Sequence, residues 1–456
     1  MTIKSVHITN YYHKDSGGIS TAYNKLLEGA NCHRRYVRLI VPGANNSIEE
    51  VGEFGRIYFV KAGFSPVFDK RYRILMPWSS YIFDQSPIKK ILREEAPDII
   101  EIGEKYTLSL AAGLIRKGIM NVSLKRPMLV HFSCERMDDN VGAFISNGKI
   151  SKRFCRAFIR NYVFPMFDFH LTNSDYTASE LLDAVSSEIG SQQGVRFMNF
   201  CWRLLRSAKP LAHERLFVNQ CGVDIKTFSA SRQNAQKRKH ICSENGFPET
   251  AKLLLYAGRI SPEKNVALLP KIMEMLLKHD NTDYRLLIAG AGPDQDWLAS
   301  ECDKVAPGKV RMFGQINNTE QLADLFANCD AFVHPNPREP FGITPLEAMA
   351  SGLPVVAPNS GGVLSYANKE NAWLAEPSAA CFSEAIRDIF SDDSKTEAKI
   401  QRALETSAKY SWDTSISNLF NLYDKMFAEF TLNRNDYVYE KAAKDFNFSQ
   451  ESISHA

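Results

Sequence analysis

The sequence predicts an α/β protein of two doubly wound parallel-sheet domains. Short β-branched or aromatic runs alternate with helix-like segments through the first half. After a polar stretch at 227–250 the same alternation starts again. Charge also divides the chain: residues 1–230 hold 31 Lys and Arg against 22 Asp and Glu, and the remainder 24 against 30. Opposite signs in two halves suggest two domains with different partners. A chain of 456 residues with 44% hydrophobic content can bury a core for each.

In the first half, "KSVHIT" reads as a strand and "SGGISTAYNKLLEGA" as a glycine loop feeding a helix. "YVRLIV" is another strand, and "PDIIEI", "PMLVHF" and "FDFHLTNS" are short β-branched or aromatic runs leading into polar residues. In the second half, strands are expected at "KLLLYAG", "YRLLIAG", "VRMFG", "AFVHP" and "PVVAP". Helices are expected at "EKNVALLPKIMEMLLKH", "TEQLADLFANCD" and "TPLEAMASG". The expected division is 1–225 for the first domain, 226–250 for a linker and 251–411 for the second domain. A closing amphipathic helix follows at 412–430, and the polar tail 431–456 is left unassigned.

No run of 18 apolar residues predicts a transmembrane helix, and the N-terminus lacks the pattern of a signal peptide. The nine cysteines are scattered and form no CxxC pair, which argues against a disulfide framework and a zinc site. A cytoplasmic location is expected.

The stretch "PREPFGITPLEAMASGLPVVAP" at 337–358 carries Glu339 and Glu347 on either side of a stiff turn. Thr344, Pro345 and Glu347 have the spacing of a capping box, with Thr344 as N-cap and Glu347 reaching back to its amide. Helix starts also bind anions, and Gly342, Ile343 and Thr344 would present amides there. Glu339 precedes a proline, which holds it extended at the carboxyl end of a strand, facing whatever the helix start binds.

"EPFGITPLE" resembles the E-x7-E motif of the retaining family 4 glycosyltransferases. Those enzymes have the GT-B architecture, two Rossmann-like domains facing a cleft. "YAGRISPEKN", "LLIAGAGPD", "ASGLPVVAPNSGG", "CGVDIKTF" and "DSGGIS" resemble the family's other segments, in its order, across roughly residues 1–430. The resemblance implies a hexosyl transfer from a nucleotide-diphosphate sugar to a hydroxyl acceptor, with no cofactor, no metal and no nucleic acid. Glu347 would accept from ribose hydroxyls and Glu339 from the donor sugar. The Phe341 and Gly342 amides would touch sugar or phosphate, and Ile343 and Thr344 would complete that end of the donor site. Arg259 and Lys264 would neutralise the diphosphate. Gly17 and Gly18 would let the backbone pass close to the donor, and His131 would occupy the position of the family's active-site histidine. A UDP-sugar is the first donor expected and GDP-mannose the second.

Other motifs carry less. "DQD" at 294–296 follows a proline at a helix start, where aspartates satisfy caps and the dipole. "GAG" at 290–292 opens no dinucleotide fingerprint, because Gln295 stands where the third glycine belongs. His334 is expected to shape its turn rather than touch ligand, and Asp138 and Asp139 are acceptor-side groups or solvated charges. Two basic segments have amphipathic spacing. One carries Lys149, Lys152, Arg153, Arg156 and Arg160 with Ile150, Phe154 and Phe158. The other carries Arg196, Arg203 and Arg206 with Phe197, Phe200, Trp202, Leu204 and Leu205. They read either as an interfacial face for an anionic membrane bearing a lipid acceptor or as helices packed on the sheet. A soluble saccharide acceptor, a GT-B epimerase or phosphorylase, and a nucleotide-sugar-binding protein without turnover stay open as alternatives.

Overall fold

Eight strands of the first half form one sheet: β1 (Lys4–Ile8), β2 (Tyr36–Gly43), β3 (Ser47–Val51), β4 (Gly55–Lys61), β5 (Ile99–Ile102), β6 (Met128–Ser133), β7 (Phe169–Thr172) and β8 (Leu216–Val218). Their order is β8-β7-β6-β5-β1-β2-β4-β3, and every neighbouring pair is parallel except β3 with β4. The computed structural model describes residues 3–12, 17–65, 72–120, 122, 125–144, 148–186, 191–279 and 281–438. Parallel strands covered on both faces must be apolar throughout. Val6, Ile8, Leu39, Ile40, Ile99, Ile100, Leu129 and Val130 are accordingly all buried.

The second half forms a six-stranded parallel sheet from β9 (Lys252–Ala257), β10 (Tyr284–Ala289), β11 (Val310–Gly314), β12 (Ala331–Val333), β13 (Val355–Pro358) and β14 (Trp373–Ala375). The order β11-β10-β9-β12-β13-β14 reverses direction between β9 and β12. A crevice opens at such a reversal, outside the carboxyl ends of the strands.

Two expectations change. The stretch 227–250, read as a loop, contains a helix at Ala235–Glu244, capped by Asn234, whose side chain accepts from the Gln236 and Lys237 amides. Of this helix only Ile241 and Cys242 are buried, so its composition hid it. Lys237 pairs with Asp324 and Arg238 with Asp330, which ties it to the second domain. The closing helix runs from Trp412 to Leu432 and lies on the first domain. Its Ile416, Leu419, Phe420, Tyr423, Met426 and Phe430 share one core with Leu26, Leu27, Val37 and Phe169. Beyond it, Tyr437 is buried in that core and the Tyr437 carbonyl accepts from Arg126 at 3.0 Å. The unassigned tail is thus docked as far as residue 438, and residues 439–456 lie outside the described set.

The two chain crossings between domains run side by side. The Val223 amide donates to the Tyr410 carbonyl at 2.7 Å, and the Trp412 amide to the Val223 carbonyl at 3.3 Å.

Candidate functional site

The reversal in the second sheet brings two segments together. The chain leaving β9 carries Gly258 to Lys264, and the chain leaving β12 carries His334 to Gly342. Lys264 Nζ lies 2.7 Å from Glu339 Oε2, which also accepts from Asn336 Nδ2 at 3.0 Å. His334 Nε2 stands 3.8 Å from the same oxygen. Burial alone would raise the Glu339 pKa, but the Lys264 charge, His334 and the two hydrogen bonds outweigh it and hold it at about 2. His334 was expected only to shape the turn. It is buried in that turn beside the carboxylate, and burial brings it down to about 4, so it is neutral near pH 7.

The loop carrying Glu339 is clamped at its backbone. The Gly362 amide donates to the Glu339 carbonyl at 2.6 Å, and the Tyr366 hydroxyl donates to the Gly342 carbonyl. The following helix is Ile343–Ala350. Its N-cap is Gly342 in the left-handed region (φ 89°, ψ 77°), with no side-chain cap bond. The expected capping box is therefore absent: the turn at Gly342 starts the helix earlier, which places Thr344 and Glu347 inside it. The Glu347 carboxyl makes no hydrogen bond or ion pair among the described residues. Burial and the nearby Asp224 charge push its carboxyl up to about 8. The first turn, at Ile343 and Thr344, has the orphan amides of any helix start, and Phe341 is buried against Tyr366.

Arg259 follows β9, and its guanidinium lies 5.2 Å from the centre of the Tyr72 ring of the first domain. Gly17 caps the first helix, Gly18–Cys32, at φ 100°, a conformation that suits glycine. A Cβ on Gly18 would come within 3.0 Å of Ile343 Cδ1, so this helix start meets the start of the helix Ile343–Ala350 across the cleft. Ser174, just after β7, donates from Oγ to the Pro340 carbonyl at 2.5 Å. Lys14, Asp15 and Ser16 of the glycine loop lie outside the described residues.

His131 does not join this group. β6 continues two residues past it, and its side chain is fully buried. Nδ1 lies 3.2 Å from His170 Nδ1, and the ring packs on Phe167. Burial, with the charge of Lys105, holds it well below the usual histidine range, so it is a neutral core side chain. The polar groups at the carboxyl ends of the first sheet are others, among them Tyr11, Glu135 and Ser174. Their signal was position, a few residues beyond a strand end. Asp138 pairs with Arg136 at 2.8 Å, and Asp139 accepts from the Tyr176 hydroxyl at 2.5 Å, so neither is a solvated charge. Asp294 and Asp296 of "DQD" stand at the start of the helix Gln295–Val305.

Residues 237–406 match the family described as Glycosyl transferases group 1. An uncharacterized glycosyltransferase of Methanocaldococcus jannaschii is 30% identical over 39% of this chain and 46% of its own length, so the match spans less than half of that relative. A GDP-mannose-dependent alpha-(1-6)-phosphatidylinositol dimannoside mannosyltransferase of Mycobacterium tuberculosis is 25% identical over 85% of this chain and 88% of its own. The structure of sucrose-phosphate synthase from Thermosynechococcus elongatus superposes with a TM-score of 0.69 at 17% identity, covering 93% of this chain and all of that one. The stretch that matches the group 1 glycosyl transferases spans the second domain, and the two domains together have the GT-B architecture.

Proposed function

We propose that the protein is a retaining glycosyltransferase that moves a hexose from a nucleoside diphosphate sugar to a hydroxyl acceptor. The observation that carries this reading is Glu339, held ionised by Lys264 at the reversal of the second sheet and facing the first domain across the Ser174–Pro340 contact. An ionised carboxylate accepts from sugar hydroxyls and orients the ring. Lys264 is already engaged with Glu339, so Arg259 and the amides at the start of the helix Ile343–Ala350 carry more of the diphosphate charge. Cations and amides fixed before reaction stabilise the departing diphosphate, and losing one such group costs about 10²–10³-fold in rate. The bond from the anomeric carbon to phosphate oxygen breaks, the acceptor oxygen bonds to that carbon on the same face, and the acceptor proton passes to the departing phosphate. Glu347 accepts from the ribose.

The Mycobacterium tuberculosis relative is GDP-mannose-dependent by name, which moves GDP-mannose ahead of UDP-sugars as the first donor to test. Thermal shift with GDP, UDP and ADP and their hexose conjugates tests the reading, because a ligand that binds the native state raises its melting point. A nucleotide sugar that shifts it should then yield an α-linked product by proton NMR. No shift with any of them at millimolar concentration overturns the proposal.

A lipid acceptor is favoured by one surface. The helices Lys149–Phe158 and Gln192–Leu204 expose Ile150 (87%), Phe154 (60%), Phe197 (56%) and Phe200 (60%) among their basic residues. Trp202 and Met198 are buried and anchor the second helix, so Phe197, Phe200 and Leu204 point outward. Basic helices with exposed aromatics suit the interface of an anionic leaflet. Among the described residues no helix is long and apolar enough to cross a membrane.

A further inference from the structure

We infer that Glu135 is the carboxylate that receives the acceptor, hydrogen-bonding a hydroxyl of a saccharide or polyol, and that the buried Lys105–Glu180 pair is the scaffold holding it in place. The inference rests on the glycosyltransferase reading above. The first sheet reverses direction between β1 and β5. Tyr11 follows β1, Lys105 follows β5, and Glu135 follows β6, the strand beside β5. These residues therefore gather at the crevice-forming end of the domain. The donor loop lies over the same end: Asn173 donates to the Cys134 carbonyl at 3.4 Å, and the adjacent Ser174 reaches the Pro340 carbonyl.

Glu135 differs from three carboxylates near it in the cleft, each of which carries a cation. Glu339 pairs with Lys264, Asp138 with Arg136 and Glu180 with Lys105. Glu135 has no cation partner among the described residues. Its Oε1 accepts from the Tyr11 hydroxyl at 2.6 Å and its Oε2 from Asn140 Nδ2 at 2.8 Å, both neutral donors. A carboxylate has about four acceptor positions, so each oxygen keeps one for a group from outside. Burial, followed by the Glu135 charge, pushes the Tyr11 hydroxyl well above its ordinary value, so it stays a donor.

The backbone around Glu135 is fixed from below. Lys105 Nζ and Glu180 Oε2 are 2.6 Å apart, at 2% and 3% side-chain exposure. Lys105 also donates to the Glu135 carbonyl, and Glu180 Oε1 accepts from the Asp138 amide at 3.0 Å. A buried ion pair is a costly way to gain stability, because apolar side chains of similar volume do as well or better. Here the pair grips the chain at the Glu135 carbonyl and again at the Asp138 amide three residues on, the support that a binding carboxylate needs.

The test measures binding of methyl α-D-mannopyranoside, methyl α-D-glucopyranoside and myo-inositol by saturation-transfer NMR, with and without GDP or UDP. Wild type should bind at least one of the three. Glu135→Gln should weaken it about tenfold, the loss expected for a hydrogen bond to a charged group, with nucleotide affinity unchanged. The Lys105→Met, Glu180→Leu double variant keeps an apolar core and should show the same selective loss. Wild type that binds none of the three probes, or Glu135→Gln that binds them as well as wild type does, overturns the inference. Failure to bind any nucleotide would instead strike the glycosyltransferase reading, and the glycoside arm without nucleotide still decides the role of Glu135.

Discussion

Lys264 and Glu339 stand 75 residues apart in the chain and 2.7 Å apart in space. The sequence offered Lys264 as a counter-charge for phosphate and Glu339 as a sugar ligand. In the structure the lysine first serves the glutamate, keeping a buried carboxylate ionised and aimed. Polarity at this site is set before any ligand arrives.

Removing the lysine should therefore change the protein's stability as well as its affinity. Lys264→Met leaves Glu339 with Asn336 as its remaining close donor and should cost on the order of 1–3 kcal/mol. The Glu339 carboxyl is depressed, so its contribution is present above about pH 4.5 and is lost as pH falls toward 2. Urea melts should show a wild-type advantage over Lys264→Met that is full at pH 7 and smaller at pH 3. An equal difference at both values would mean the pair does not stabilise the fold.

Nucleotide affinity separates the two cations. Arg259→Ala should weaken GDP and UDP more than Lys264→Met does, because Lys264 is partly neutralised by Glu339. Isothermal titration of both variants gives the order directly, and the reverse order would return Lys264 to the role of principal phosphate ligand.

Glu347 predicts a dependence of opposite sign. Burial and the Asp224 charge raise its carboxyl to about 8. The folded state therefore holds a proton that the unfolded chain releases, and stability declines as pH climbs from about 5 through 8. Glu347→Gln should flatten that decline. If the ribose takes the carboxylate form, nucleotide binding near pH 7 should release a proton in wild type and none in the variant. Titrations in buffers of different ionisation enthalpy would detect it.

The outward-facing aromatics and arginines should bind anionic vesicles reversibly. Each basic residue near such a surface contributes up to about 1 kcal/mol, and the attraction weakens with salt because the Debye length is about 8 Å at physiological ionic strength. Co-sedimentation with phosphatidylglycerol vesicles should fall with salt and drop in an Arg153→Glu, Arg156→Glu, Arg203→Glu variant. Wild type left in the supernatant at low salt would favour a soluble saccharide acceptor.

Gly342→Ala tests the turn that starts the helix Ile343–Ala350. The position has φ 89°, and a Cβ there would stand 2.9 Å from the Tyr366 hydroxyl. The left-handed conformation alone costs a non-glycine residue about 1–2 kcal/mol, so the melting temperature should fall by several degrees. An unchanged melting point and unchanged nucleotide affinity would show that the turn relaxes freely.

The strands and the Glu339 loop were legible because both are written locally: apolar runs make buried parallel strands, and a proline beside a glutamate fixes a turn. The core position of His131 was not legible, because depth along a strand depends on where the neighbouring strands end. Glu135 and Tyr11 belong to separate segments, and only the order of strands in the sheet brings them together. The helix Ala235–Glu244 escaped notice because it buries only two side chains, and the capping box failed because Gly342 could begin the helix before Thr344.

The closing helix has a consequence for how the protein is made. Residues contributed by Trp412 to Tyr437 complete the core built by the first two hundred residues. On the ribosome the first domain therefore waits, with Leu26, Val37 and Phe169 uncovered, while the contiguous second domain emerges and can close its own sheet. A chain halted before Trp412 would carry a complete second domain tethered to a first domain whose core lacks the closing helix.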